Sequence, residues 1–504
     1  MSPRRCALAL FLAVAALPAP AAALHAAEPA SEAVELAVGT LNIFYGGDDL
    51  DLATGDWCAE SNGCLETLDQ VVAAIEASGA DILGLEEAEG NTAVVAERLG
   101  WYASPRTQVI SRFPLLDVPG SDLVYAEVAP DQVVAIANVH LPATPEGPYL
   151  VRDGGSPEEL MELETTVRLP PLEARLEGWQ AQVAAGVPTF VVGDFNTPSH
   201  LDWTEEVAAV RPEVRYPFDW PVSLALEAAG FADAYRSVWP DPVARPGFTW
   251  TPGGPESVEE EVHDRIDWVL VGGDVTVTDA RIVGESSHVD TDIAIDPYPS
   301  DHRGVVARVS VVPATPDLLV AADRRVVAPG EPVTARVLDA GGTGRSVALV
   351  AGDGIVVEQQ QLGQGELSFD TSALAPGSYR MTLGDATGAS LAEAPIWVAD
   401  PAAPAAISTV APSVASGSPI EVRWSGAPGM RWDWIGVYAV GAEPGDYVGF
   451  LYTGTRPAGD AMIDGEADWS EGTWPLEPGD YLVRLLLDDG FTVLAESAPF
   501  SVTG

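Results

Sequence analysis

Residues 169–196 read LPPLEARLEGWQAQVAAGVPTFVVGDFN. The first part has the apolar periodicity of a helix, and VPTFVVGDFN is a short apolar run that ends on polar groups, as a buried strand does. Upstream the same alternation recurs. VELAVGTLNIF predicts a strand, CLETLDQVVAAIEASG an amphipathic helix and ADILGLEEAE a further strand. Strands and helices in alternation from about Glu32 to Val312 predict a layered α/β domain, a fold that usually presents its chemistry at strand ends.

After Pro313 helical periodicity vanishes, and glycine and proline punctuate short Val, Leu and Thr runs, the pattern of β-sandwiches. The tail also repeats itself. APGEPVTARV from Ala328 is echoed by ASGSPIEVRW from Ala415, and LAEAPIWV by LAESAPFSV. Two related immunoglobulin-like sandwiches are therefore expected, over 313–400 and 405–504, with ADPAAPAA (399–406) between them. The α/β domain is expected over 32–312. In front of it, residues 1–26 carry two arginines, an apolar run and small residues suited to cleavage, which reads as a signal peptide. That run is shorter than a membrane span needs, so a soluble, secreted protein is expected.

The chain has 504 residues, 47% of them apolar, which excludes disorder and asks for more than one core. Its net charge is −50, and it contains no lysine. Such a chain repels polyanions, so a nucleic acid would need a locally basic groove. Cys58 and Cys64 are expected to form a disulfide, because two thiols without nearby histidine are too few for a metal site.

Six strand ends carry polar side chains: Asn42; Glu86 and Glu87; Asn138 and His140; Asp194 and Asn196; Asp264, Arg265 and Asp267; and Asp301 with His302 in YPSDHRGVV. One such residue is ordinarily a cap or a turn former. Six together suit a hard cation such as Mg²⁺, which takes oxygen ligands and substrate phosphate, beside an imidazole that exchanges a proton near neutral pH. Hydrolysis of a phosphate ester needs those parts.

These motifs, with GDFN, RIDWV and SDH in order, resemble the endonuclease/exonuclease/phosphatase superfamily over residues 34–312. The resemblance implies a four-layer α/β sandwich and a set of roles. Asn42, Glu87 and Asp301 match metal ligands, with Glu86 standing where the family has glutamine. His140 matches a donor to the scissile phosphate. Asp194 would orient or deprotonate the attacking water, and Asn196 would hold a phosphoryl oxygen. His302 matches the catalytic histidine and Asp267 the acid that fixes its tautomer. Arg112 matches an arginine that reaches substrate phosphate, with a structural ion pair as the alternative. His200 is a candidate to line the pocket, against a turn role. Mg²⁺ is the expected ion, with Mn²⁺ and Ca²⁺ as alternatives.

Between His140 and GDFN the chain is rich in acids, which disfavours a long nucleic acid unless the fold gathers Arg106, Arg112, Arg152 and Arg168. The expected function is hydrolysis of small organic phosphates or phospholipid headgroups. A secreted deoxyribonuclease is the runner-up, and a binding or adhesion protein with an inactive phosphoesterase domain is the alternative of another class. DWIGVYAVG followed by DYVGFLYT is similar to SKICH-type modules. Trp424, Trp432, Trp434, Trp469 and Trp474 are expected in a core, the other option being an aromatic platform for a glycan or lipid headgroup.

Overall fold

The computed structural model describes residues 32–55, 57–59, 63–251, 261–339, 342–363, 367–400, 402–430, 432–453, 463–470, 474–488 and 490–504. The expected signal peptide lies outside the described residues. Thirteen strands build the first domain: β1 (Val34–Asn42), β2 (Ile82–Glu86), β3 (Tyr102–Ser104), β4 (Val109–Ser111), β5 (Leu115–Asp117), β6 (Leu123–Ala129), β7 (Gln132–His140), β8 (Thr189–Asp194), β9 (Ala232–Asp233), β10 (Asp267–Gly272), β11 (Val275–Gly284), β12 (Ile293–Ala294) and β13 (Gly304–Val311). They form a seven-stranded sheet, β12-β11-β13-β1-β2-β4-β3, and a six-stranded sheet, β5-β6-β7-β8-β10-β9.

The central strands are buried on both faces, which is why they read as nearly continuous apolar runs. Val38, Ile82, Ile136, Phe190, Val269 and Val305 fill the space between the sheets. The helix Leu65–Ser78 covers the outer face of the first sheet through Leu68, Val71 and Ile75. The helices Leu169–Ala184 and Pro221–Ala228 cover the second through Leu172, Trp179 and Leu226. These are the four layers. The helix expected over LPPLEARLEGWQAQVAAG (169–186) is present as Leu169–Ala184, and so is the strand after it.

The tail forms two sandwiches of the same topology. In the first, Leu319–Ala322, Val333–Leu338 and Leu367–Phe369 face a five-stranded sheet. In the second, Ala406–Thr409, Ile420–Ser425 and Gly465–Trp469 pair in the same order and face a six-stranded sheet. The strand Ser390–Val398 of the first copy is split in the second into Val493–Glu496 and Phe500–Thr503, where LAESAPFSV has one residue more than LAEAPIWV. An extra residue in one strand breaks the ladder locally. Trp424 and Trp469 are buried in the sandwich core with Trp474 packed against them, Trp434 is buried in a second apolar cluster, and buried Trp432 lies under Arg175 of the first domain, whose guanidinium carbon is 4.9 Å from the ring centre.

The tail is not a separate appendage. Leu319, Ala321 and Leu338 join the apolar cluster on the outer face of the six-stranded sheet, and Arg325 pairs with Asp117 on its edge strand β5.

Candidate active site

Strand directions bring the polar ends together. Parallel pairing of β1 with β2 sets Asn42 beside Glu86, and parallel pairing of β7 with β8 sets His140 beside Asp194. β10 runs antiparallel to β8 and starts where β8 stops, so Asp267 faces Asp194. β13 runs antiparallel to β1, which returns the preceding segment Ser300–Arg303 to the same end. That segment is fixed there: Ser300 Oγ donates to the Asn42 carbonyl at 2.7 Å and accepts from the His302 amide at 3.0 Å.

At the centre, His302 Nδ1 lies 3.0 Å from Asp267 Oδ2, and both side chains are buried. An ionised carboxylate only accepts, so Nδ1 carries the proton and Nε2 faces Asp194 Oδ2 at 3.7 Å. His140 Nε2 approaches the same Asp194 oxygen at 3.7 Å and Glu87 Oε1 at 4.0 Å. Asn42 Nδ2 bridges Glu87 Oε1 at 3.0 Å and Asp194 Oδ2 at 3.2 Å. Asn196 donates its amide to Asp194 Oδ1 at 2.8 Å and its Nδ2 to the Leu141 carbonyl at 2.9 Å. Glu87, Asp194, Asn196, Asp301 and His302 share one cavity of about 190 Å³, walled by Phe44, Tyr45, Tyr149 and Trp250.

So many acids in a dry place shift one another. Burial, with Asp267 adding, pushes Asp194 up to about 6. Burial also pushes Asp301 to about 7; His302 opposes the rise, and Glu87 and Asp194 add to it. Burial acts to lower the His302 value, but the Asp267 and Asp194 carboxylates outweigh it and hold the imidazole well above its usual value. Glu86 is raised well above its ordinary range, by burial first and then by Asp267, and takes a hydrogen bond from Thr40 Oγ1 at 2.8 Å. That shift favours the neutral carboxyl, which is close to an amide in shape and hydrogen-bonding capacity.

The donor set fits a divalent cation. Asp301 Oδ1 is shut off from solvent and has no hydrogen-bond partner among the described residues, while facing the cavity that Glu87 and Asp194 share. Charged oxygens left without donors are what a hard cation takes. Ligand atoms of Asp194, Asp267 and His302 also lie within 4.8 Å of one another. Asp267 is committed to the imidazole, however, and each Glu87 oxygen accepts one hydrogen bond, so Asp301 Oδ1 is the freest oxygen, with Glu87 beside it on the cavity wall.

Two expected site residues are elsewhere. Arg112 follows β4, which runs antiparallel to β2, so it sits by the start of β2 and not by its Glu86 end. There it pairs with Asp81 at 3.4 Å and stacks over Trp101. His200 is six residues past Asp194, but the chain has turned away. Its Nδ1 meets Ser223 Oγ at 2.8 Å and its Nε2 meets Glu227 at 3.1 Å, in a separate cavity of about 880 Å³. Cys58 and Cys64 are bonded to each other, beside Trp57. Tyr149, Phe44 and Tyr45 were not singled out by the sequence. Trp250 contacts His302 with ring centres 4.9 Å apart and donates Nε1 to Tyr149 Oη at 3.1 Å, and aromatic side chains in the polar loops after strands were the available signal.

Residues 39–302, more than half of the chain, match the Endonuclease/Exonuclease/phosphatase family, and the chain belongs to that family. Its members are hydrolases of phosphoester bonds and are usually metal-dependent. An uncharacterised protein of Caenorhabditis elegans is 30% identical over 244 residues, which cover 43% of this chain and 74% of the relative. Among solved structures, an endonuclease/exonuclease/phosphatase from Beutenbergia cavernae is 18% identical and covers 72% of this chain and 100% of its own, with a TM-score of 0.33. An AP endonuclease from Archaeoglobus fulgidus is 16% identical, covering 54% and 98%, with a TM-score of 0.35. Truncated TDP2 of Caenorhabditis elegans is 17% identical, covering 55% and 98%, with a TM-score of 0.34.

Proposed function

We propose that the protein is an exported, divalent-metal-dependent phosphoesterase that hydrolyses small organic phosphate esters or phospholipid headgroups by direct attack of water. The observation that carries this reading is the Asp267–His302–Asp194 chain opening into a small cavity with Glu87 and Asp301 on its wall. Asp267 holds the His302 tautomer, which leaves Nε2 as the proton-exchanging atom. Asp194 lies beside it, placed to orient or deprotonate water. Asn196 on the cavity wall, and His140 beside Asp194, would donate to phosphoryl oxygens. Glu87 and Asp301, with Asp194, would hold Mg²⁺ (or Mn²⁺ or Ca²⁺), and a bound ion supplies charge stabilisation at the phosphoryl group. As placed, Asn42 offers its amide nitrogen and serves to hold the two carboxylates.

Two observations favour a small ester over DNA. No arginine lines the cavity among the described residues. The arginines that might have formed a basic groove are each paired with an acid: Arg106 with Asp117, Arg112 with Asp81, Arg152 with Asp153 and Arg168 with Glu164. Affinity for a polyanion comes mostly from phosphate neutralisation, which such pairs do not supply. Export is supported by the leader-like residues 1–26 and by the disulfide, a bond of oxidising compartments. No helix of the described residues is long and apolar enough to cross a membrane. The test is a panel of bis-p-nitrophenyl phosphate, a phosphomonoester, sphingomyelin, inositol phosphates and plasmid DNA with Mg²⁺. Preference for a small ester or a headgroup is expected, and efficient nicking of plasmid at moderate salt would instead establish a nuclease.

A further inference from the structure

The last β-domain touches the mouth of the site through one turn. Its strands Gly479–Leu486 and Val493–Glu496 pair antiparallel, and the turn between them is closed by Leu487 N to Thr492 O at 3.1 Å and Gly490 N to Leu487 O at 2.7 Å. The turn is braced from within its own domain. Asp488 N donates to buried Asp433 Oδ1 at 3.1 Å, and Trp434 Nε1 donates to the Gly490 carbonyl at 2.9 Å. Asp433 Oδ2 in turn accepts from the Gly429 and Met430 amides at 2.9 and 3.0 Å.

The outer side of the turn bears on the catalytic domain at two points. Asp488 Oδ2 accepts from the Gly90 amide at 3.0 Å, three residues past Glu87. The Phe491 ring lies 6.1 Å from the Tyr45 ring. A Cβ on Gly490 would fall 2.1 Å from Glu89 Cδ, so the two loops approach as closely as a glycine permits. Both contacts lead to the same carboxylate. The Tyr45 amide donates to Glu87 Oε2 at 3.2 Å, and the Gly46 amide donates to the Glu87 carbonyl at 2.7 Å. The two loops also hold unfavourable backbones: Phe44, Tyr45, Glu87 and Glu89 have φ of 59°, 42°, 54° and 43°. Non-glycine residues stay in that region only when their surroundings hold them there.

We infer that Asp488 and Phe491, in the turn of the last β-domain, form a positioning element of the phosphoesterase site, with Asp488 holding the Glu87 loop and Phe491 holding Tyr45. This inference rests on the proposed function for its effect on turnover, but not for its effect on structure or metal binding. The tail is then part of the enzyme's site and not only a carrier. Asp488 and Phe491 touch no reacting atom; they act through Glu87 and Tyr45.

The experiment uses the full chain with Asp488→Ala, Phe491→Ala and the double substitution, and Asp488→Asn and Phe491→Tyr as conservative partners. Amide exchange at residues 44–47 and 87–91 should quicken by about 10-fold in the double variant, and calorimetric Mg²⁺ affinity should weaken by about 3- to 10-fold. Where an ester is turned over, kcat/KM should fall in step, and the conservative variants should recover most of each loss. If the wild-type protein hydrolyses no ester, the proposed reaction fails while exchange and Mg²⁺ affinity still decide this inference. Exchange and affinity unchanged in the double variant would overturn it. A lowered melting temperature that the conservative variants do not restore, with exchange raised throughout the last domain, would also overturn it, since the turn would then serve only its own domain.

Discussion

Two histidines of this chain each sit about 3 Å from a carboxylate, and only one is placed to do chemistry. His302 has Asp267 on Nδ1, both side chains are buried, and Nε2 faces Asp194 and the cavity. His200 has Glu227 on Nε2, but that carboxylate is 66% exposed, and Nδ1 is already engaged by Ser223 Oγ. Ser223 itself donates to the Trp220 carbonyl, so its proton is engaged as well. An ion pair in water is weak and screened, whereas the same pair in a dry strand-end cluster fixes a tautomer and strengthens every neighbouring charge. The difference between the two lies in which nitrogen is left facing a cavity and how much water surrounds the pair.

Substitutions can break this comparison in order of effect. His302→Ala should lower kcat by about 10³-fold or more with the fold retained, measured by steady-state hydrolysis and circular dichroism. Asp267→Asn, which leaves the ring in place but no longer selects its tautomer, should cost about 10²-fold or more in kcat in the same assay. Asp301→Asn should weaken calorimetric Mg²⁺ affinity by about 10-fold. It should also flatten a pH dependence whose sign follows from the raised acids. Folded Asp194 and Asp301 keep protons up to about 6 and about 7, where the unfolded chain has lost them near 3.8. The folded state therefore binds more protons, and metal-free stability falls as pH rises from about 4 to 7. Mg²⁺ needs the ionised carboxylates, so its affinity rises through that window, and melting curves with and without Mg²⁺ should diverge from about pH 6 upward. His200→Ala should change kcat/KM by no more than about twofold, and a larger loss would mean that the second pair reaches the site.

The sequence showed the site better than its surroundings. GDFN, RIDWV and SDH were legible because each ends or begins a buried strand, where a polar group is conspicuous against apolar neighbours. Arg112 was misplaced because ISRFP shows a strand but not its direction, and antiparallel pairing with β2 sends it to the far end. His200 was misplaced because a turn after Asn196 redirects the chain within four residues. The acidic segment before GDFN is legible as disfavouring a long nucleic acid unless arginines gather, but not as a support for the site. Within it Glu164 is buried, pairs with Arg168 at 2.7 Å and accepts from Thr197 Oγ1 at 3.0 Å, so it supports the loop that follows Asn196. The contact of Asp488 with the Glu87 loop joins residues 398 positions apart, Gly90 and Asp488, and no local pattern announces it.

The most direct test of the central claim is hydrolysis of bis-p-nitrophenyl phosphate by the purified full chain, followed through Mg²⁺ addition, EDTA and Mg²⁺ again, with His302→Ala alongside. The account predicts turnover that EDTA abolishes, that Mg²⁺ restores, and that the His302→Ala protein lacks by about 10³-fold. Turnover indifferent to EDTA, or equal in the two proteins, would contradict it.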